Sequence, residues 1–321
     1  MPSINRRLLA LVDDVAASQC GLITSSQLVE IGVPSSTLRY RIRQGGPWRR
    51  VLPRVYAVSP GPLSDDQREL AALLYVGPPA LLTGTAALRH HGISAARSLL
   101  VGEIHVLVPN HRKRASTHFV HVQRALYWPD TGANGFAPVT RAAIDTCRAL
   151  DRRQDVEAVL SEVVRDRHAS IDDLETELGR AQRRRSALAR EALRELRAGP
   201  VSVPELELAR RWRRSGLPPA LFNVDLHLPT GEFVGRPDAY VAESGVVVEV
   251  ESRGFHYSPR DWDRTMRRHA RMTATGLAVL HVTPTRVRDD FGGIVREMWS
   301  VVESQVGRTL PNLEIRTRHT G

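Results

Sequence analysis

VGRPDAYVAESGVVVEVES, residues 234–252, decides how the C-terminal third of this chain is read. Two apolar runs flank Glu243, Ser244 and Gly245, the pattern of a β-hairpin. Alternation along VVVEVES sends Val246, Val248 and Val250 to one face and Val247, Glu249 and Glu251 to the other. A turn about Glu243 and Ser244 then sets Asp238 opposite Glu249 and Arg236 opposite Glu251, with cross-strand Cβ atoms roughly 5 Å apart. Like charges facing each other cost a sheet about 0.2–1 kcal/mol, so a purely structural hairpin avoids them. A divalent cation such as Mg²⁺ or Mn²⁺ removes the conflict, because it prefers carboxylate oxygens and can bridge the strands while keeping water for chemistry. The alternative is a hairpin whose acids face water and pair with Arg236 and other arginines.

Around the hairpin the elements alternate as in an α/β domain: helix Pro204–Arg214, strands Leu221–Leu228, Phe233–Val241 and Val246–Glu251, helix Pro259–Thr275, strand Leu277–Val282 and helix Phe291–Val306. Glu205, in SVPELEL, opens the first helix and could reach the acidic edge; alone it is an ordinary helix-start acid favoured by the dipole. On the helix after Pro259, Trp262, Met266, Ala270, Thr273 and Leu277 have core spacing. Arg260, Arg264, Arg267, Arg268 and Arg271 gather on the other side, as a phosphate-binding stripe or a solvated face.

Working back towards the N-terminus, GRAQRRRSALAREALRELRAG reads as an arginine-rich helical linker over 181–200. Before it, residues 63–180 mix helices (Asp65–Tyr75, Thr85–His91, Thr140–Leu150, Gln154–Arg167) with strands (Glu103–Val108, His118–Gln123), an α+β middle domain without evident chemistry. Residues 1–62 read as helix, helix, tight turn, capped helix and hairpin, the order of a winged helix-turn-helix. ITSSQLVEIG offers a Ser/Thr cap and a Gly32 stop, and Ser35 or Ser36 is the expected cap of the next helix. In that helix Leu38 and Ile42 are spaced to pack inward. Ser36, Arg39, Tyr40, Arg41 and Arg43 are the candidate groove contacts, and Arg49, Arg50 and Arg54 the candidate phosphate contacts of the wing. The tail, 307–321, is expected to be loose.

Composition agrees with a nucleic-acid partner. The 321 residues carry 45 Lys+Arg against 35 Asp+Glu, a formal charge of +10, and Lys113 is the one lysine. The excess is therefore arginine, the side chain suited to forked contacts with phosphate and guanine. Cys20 and Cys147 lie far apart without a ligand pattern, which argues against a disulfide framework and a cysteine zinc site. No stretch reads as a signal peptide or membrane span, so a cytoplasmic protein is expected.

Two resemblances sharpen these expectations. Ser202 and Glu205, then Arg236-Pro237-Asp238, then Glu249, Glu251, Arg253, Phe255 and His256, followed by the basic helix and LAVLHVT, resemble the very-short-patch-repair-like branch of the PD-(D/E)XK, or restriction-endonuclease-like, superfamily. The likeness spans about residues 202–306. It implies Asp238 and Glu249 as ligands of Mg²⁺ or Mn²⁺, Glu205 as an auxiliary acid, and His256 as a proton donor or phosphate contact; Glu251, on the same strand face, is the third candidate metal ligand, and Arg264 and Arg268 of the basic stripe are candidate DNA contacts. Glu251 departs from the pattern: it stands where the superfamily has Lys and this branch usually Asp, one methylene longer than Asp. Residues 8–178, through GLITSSQLVEIGVPSSTLRYRIRQGGPWRRVLPRVYAV, LLTGTAALRHHGI, EIHVLVP and PVTRAAIDTCRAL, resemble AbiEi-family antitoxins. That likeness implies an autorepressor that offsets a nucleotidyltransferase-type toxin. The expected protein is thus a DNA-binding antitoxin-like regulator carrying a nuclease-fold domain over 201–306. The rival readings are an active metal-dependent endonuclease targeted to double-stranded DNA by its winged helix, and a scaffold that binds protein through the middle domain.

Overall fold

Helix starts in the first sixty residues follow from side-chain capping. The computed structural model describes residues 5–129, 135–200, 202–251 and 259–316, with residues 259–265 described by backbone alone. It divides into two compact units, residues 1–150 with 179–182, and residues 151–178 with 183–321. In the first, α1 (Arg6–Ala17) starts where the Asn5 side chain accepts the Arg7 N–H. Strand β1 (Leu22–Thr24) runs into α2 (Ser25–Ile31), opened by a reciprocal Thr24–Gln27 capping box and closed by Gly32 at φ 88°, a conformation glycine adopts without steric cost. Helix α3 (Ser35–Arg41) instead starts at Pro34 with no side-chain cap, so Ser35 and Ser36 lie inside the helix and do not cap it. A hairpin of β2 (Arg49–Leu52) and β3 (Val55–Ala57) follows, and β3 also pairs with β1, giving a three-stranded sheet in the order β1-β3-β2. Val12, Ile23, Leu28, Trp48 and Tyr56 form the core under these helices, and Leu38 and Ile42 of α3 pack on it as their spacing predicts.

The rest of this unit comprises α4 (Asp65–Val76), β4 (Leu81–Thr83), α5 (Gly84–His90), β5 (Ile104–Pro109), β6 (Val120–Ala125) and α6 (Val139–Ala149). Strand β5 lies between antiparallel β4 and parallel β6. Leu22, Leu52, Val55 and Ala57 of the first sheet share one core with Ala71, Ala72 and Val76 of α4 and Val106 of β5. The boundary expected at residue 62 is therefore a connection across a common core. Inside α6, Asp145 is fully buried and accepts from Thr83 Oγ1 at 2.8 Å and Arg141 Nε at 2.9 Å.

The second unit begins earlier than the sequence suggests. Helices α7 (Arg153–Arg165), α8 (Ile171–Arg180) and α9 (Ala187–Arg197) precede α10 (Val203–Trp212). The stretch 181–200 is not a linker: α9 buries Ala189, Ala192, Leu193 and Leu196, a helical-period apolar face hidden in sequence by the surrounding arginines. Ion pairs join α7, α9 and α10. Glu157, 1% exposed, receives Arg153 Nε and Arg210 NH2, each at 2.6 Å, and Glu195 receives the same two guanidinium groups at 2.7 and 3.0 Å.

Beyond α10 come β7 (Leu221–Phe222), β8 (Asp225–His227), β9 (Phe233–Gly235), β10 (Ala239–Val241), β11 (Val246–Val250), α11 (Pro259–Ala274), β12 (Ala278–Val282), α12 (Pro284–Asp289), α13 (Phe291–Ser304) and β13 (Glu314–Arg316). One sheet has the order β12-β11-β10-β7, with β11 and β12 parallel across α11; a second has the order β13-β8-β9. Each of the two strands expected at 221–228 and 233–241 is split between these sheets. Asn223, at φ 51°, turns the first, and Pro237, which has no N–H to donate, interrupts the second. Strand β13 pairs with β8, so residues 314–316 of the expected tail are part of a sheet. Val246, Val248, Ala239 and Val241 pack on Leu208, Trp212, Ile294 and Met298, while Val247 and Tyr240 pack on Leu226, Val234 and Met272. Each valine so buried contributes about 1.5–3 kcal/mol. The alternation read from VVVEVES is thus the alternation of the two cores.

Among the described residues no helix is long and apolar enough to cross a membrane, and Cys20 and Cys147 are both free thiols, exposed and buried respectively.

Candidate functional site

The pairs Ala239–Val248, Tyr240–Val247 and Val241–Val246 fix the hairpin register, and one further step of it would set Asp238 opposite Glu249. Strand β10 begins at Ala239, and just before it, outside the ladder, the Asp238 side chain takes the Val250 N–H at 2.6 Å. Glu249 is 2% exposed; its Oε2 accepts from Arg268 at 2.9 Å, and its Oε1 is buried without a hydrogen-bond partner among the described residues. Glu205 is held on both oxygens, by Ser202 Oγ and by Asn223 Nδ2, each at 2.6 Å. Asn223 is a site residue the sequence did not advertise; its signal is the left-handed backbone that an Asn tolerates between two strands.

Burial, then the charge of Glu205, then that of Glu249, pushes the Asp238 carboxyl well above its ordinary range, against the Val250 N–H and Arg268. Burial likewise raises Glu249 to about 7; Arg268 opposes the shift, and Glu251 and Glu205 add to it. Glu205, Asp238 and Glu249 therefore form one electrostatic cluster. Arg236 does not answer Glu251: it pairs with Asp225, at 2.6 Å, because the break at Pro237 carries it into the other sheet.

Glu251 also leaves the expected ligand set. Its Oε1 stands 3.3 Å from both His269 Nε2 of α11 and His281 Nδ1 of β12, and these three atoms lie within 4.8 Å of one another. Among the described residues Asp238, Glu249 and Glu251 do not make such a group. Glu251 follows the last residue of β11, and its longer side chain is turned to the two histidines.

Arg268, expected on a DNA-facing stripe, is the half-buried partner of Glu249. The phase of α11 explains this. Met266, Ala270 and Thr273, expected in the core, are exposed, whereas His269 and Met272 are buried. Polar anchoring to Glu249 and Glu251 outranks the weak apolar period. Gly235 permits the close approach, since a Cβ there would stand 3.1 Å from Met272 Cγ and Sδ. His256 lies outside the described residues, as does the Arg264 side chain.

In the first unit, Ser36, Arg39 and Arg43 are exposed and share a face of α3 and its continuation with Tyr40. Arg43 lies over the Tyr40 ring at 3.9 Å and donates to its hydroxyl at 3.1 Å. Arg41 is half-buried against Trp48, 5.0 Å from the ring centre. Arg50 and Arg54 are exposed on the hairpin, Arg54 at its turn with φ 65°. Arg49 differs: its Nε and Nη2 are buried without hydrogen-bond partners among the described residues, so it is poorly placed for an outside phosphate.

No family model matches the chain, and no curated protein matches it. The crystal structure of the RV2827C protein from Mycobacterium tuberculosis is similar at 18% identity with a TM-score of 0.39, over 59% of this chain and 78% of that one. A likeness at that level carries no argument about fold or activity.

Proposed function

We propose that the chain binds double-stranded DNA through α3 and the β2–β3 hairpin, as a winged helix-turn-helix regulator whose second unit carries a nuclease-like acidic site. The observation that carries this reading is the exposed set Ser36, Arg39 and Arg43, with half-buried Tyr40 among them, on one face of α3 and its continuation, while Leu38 and Ile42 pack against the core on the opposite side. A major groove admits such a helix, and forked arginine contacts to guanine discriminate by about 1–3 kcal/mol each. Arg50 and Arg54 flank it as phosphate contacts. The antitoxin role and a nucleotidyltransferase-type toxin partner rest on the sequence resemblance alone.

On a duplex selected from a random pool, Arg39→Ala or Arg43→Ala is expected to weaken binding by about 1–3 kcal/mol and relax base preference. Arg50→Ala and Arg54→Ala are expected to weaken all duplexes alike and reduce the salt slope by about 1 each. Gel shifts in which all four variants bind as the wild type would reject the assignment.

Metal-dependent DNA cleavage is the second reading, favoured by one observation: among the described residues Glu249 Oε1 is buried and unpartnered in the cluster with Asp238. Asp238 and Glu249 would hold Mg²⁺ or Mn²⁺, with Glu205 as auxiliary; the ion supplies a Lewis acid and an activated water. Arg268 on Glu249, and Glu251 turned to the histidines, leave this site fewer oxygens than the three-acid set implied. Plasmid nicking that requires Mg²⁺ or Mn²⁺ and is lost in Asp238→Asn is the expected mark of this activity. Equal nicking by the variant would reject it.

A further inference from the structure

We infer that Glu251, His269 and His281 form a second metal site, separate from the carboxylate cluster and suited to a borderline divalent ion of the Zn²⁺ type. The donor set is two imidazole nitrogens and one carboxylate oxygen, which suits Zn²⁺ and later transition ions better than Mg²⁺. The geometry fits the same ion. Donors about 2.0–2.1 Å from a tetrahedral metal stand about 3.3–3.4 Å from one another. Both Glu251–His contacts are 3.3 Å, so two of the three donor spacings match, and the two imidazole nitrogens lie within 4.8 Å of each other, close enough for a modest turn of the exposed His281 ring to complete the set.

These contacts are not hydrogen bonds doing the same job. Among the described residues Glu251 Oε1 and His269 Nε2 are both buried and have no hydrogen-bond partner, and His269 is only 9% exposed. A buried donor or acceptor left unmade costs about 1–3 kcal/mol, which a bound cation would offset for both atoms at once. The three ligands come from the end of β11, the buried face of α11 and strand β12, and Val282 O accepts the Glu251 N–H at 2.7 Å, holding the strand ends in register. Three protein ligands leave a fourth position for water or a phosphate oxygen. His281 is the outermost ligand, its side chain 43% exposed, which gives an ion access from solvent.

The test uses the full chain, metal-free, with Zn²⁺ in competition against a chromophoric indicator and Co²⁺ as a spectroscopic probe. The wild type is expected to take up one tightly bound Zn²⁺ and to give the intense visible bands of tetrahedral Co²⁺. His281→Ala and Glu251→Gln are each expected to weaken Zn²⁺ binding at least ~tenfold, the scale on which even outer partners of metal ligands act. Asp238→Asn is expected to leave it unchanged. Metal-free melting curves show which variants are folded; Glu251→Gln, which keeps side-chain shape, decides the matter if His281→Ala is not. Absence of Zn²⁺ uptake by the wild type, wild-type affinity in folded Glu251→Gln, or loss of the ion in Asp238→Asn alone would each overturn the assignment. The last two would place the ion elsewhere among the 12 histidines or on the carboxylate pair.

Discussion

Arg210→Ala is expected to destabilise the second unit by about 3 kcal/mol, read as a lower denaturant midpoint for that unit with an unchanged slope. The side chain donates to Glu157, Glu195 and Glu207, and Glu157 is buried between α7, α9 and α10. Removing one partner of a buried pair typically costs about 3–5 kcal/mol, because the remaining charge stays desolvated. The low end applies because Arg153 still reaches both Glu157 and Glu195. Burial alone would lower the Arg210 pKa; its carboxylate partners, Glu195 first, more than reverse this, so the guanidinium stays charged throughout. A shift below about 1 kcal/mol, the scale of an exposed pair, would mean that the three-helix ion cluster does not hold the unit together.

Without divalent metal, the second unit is expected to lose stability as pH rises from about 4.5 to about 7. Glu249 titrates near 7 in the folded chain against 4.5 ordinarily, so the folded state binds the proton more tightly than the unfolded state. The neutral form is fully favourable below the unfolded value, and that advantage is lost as pH climbs through the folded one, at about 1.4 kcal/mol per unit, or about 3 kcal/mol in all. Asp238, raised by burial, Glu205 and Glu249, acts in the same direction. Asp238→Asn should flatten the slope and raise the melting temperature near pH 8, since the amide oxygen can still accept the Val250 N–H that Asp238 now takes. Mg²⁺ or Mn²⁺ at one hundred times its dissociation constant should add about 2.7 kcal/mol to the wild type and nothing to the variant. A wild type whose melting temperature is flat in pH and blind to both ions would reduce the acids to a structural remnant.

The hairpin register and the division of its valines between two cores were legible because a period of two leaves no other arrangement once one face is apolar. The pairing of Asp238 with Glu249 followed from that register alone. What escaped was set by single residues acting outside any period. Asn223 and Pro237 each divert a strand between sheets, and no alternation pattern marks such a switch. Helix α11 was assigned the wrong buried face because its contacts are polar, Arg268 to Glu249 and His269 beside Glu251, where apolar spacing is silent. His269 and His281 sit on a helix and a strand without any ligand spacing that sequence could mark; the parallel β11–β12 pairing sets His281 near Glu251, and the buried face of α11 adds His269. Helix α9 was hidden in a different way: its many arginines and glutamates read as linker, although Ala189, Ala192, Leu193 and Leu196 are enough to seat it.

The central claim is that the first unit holds duplex DNA with α3 and the adjoining hairpin. Amide hydrogen exchange of the full chain, with and without saturating duplex, tests it most directly, since exchange locates the contact without presuming which side chains make it. The account predicts new protection over residues 35–43 and 49–57, with the rest of the first unit unchanged. Duplex that binds while leaving both segments unprotected, or that protects the second unit alone, would contradict it.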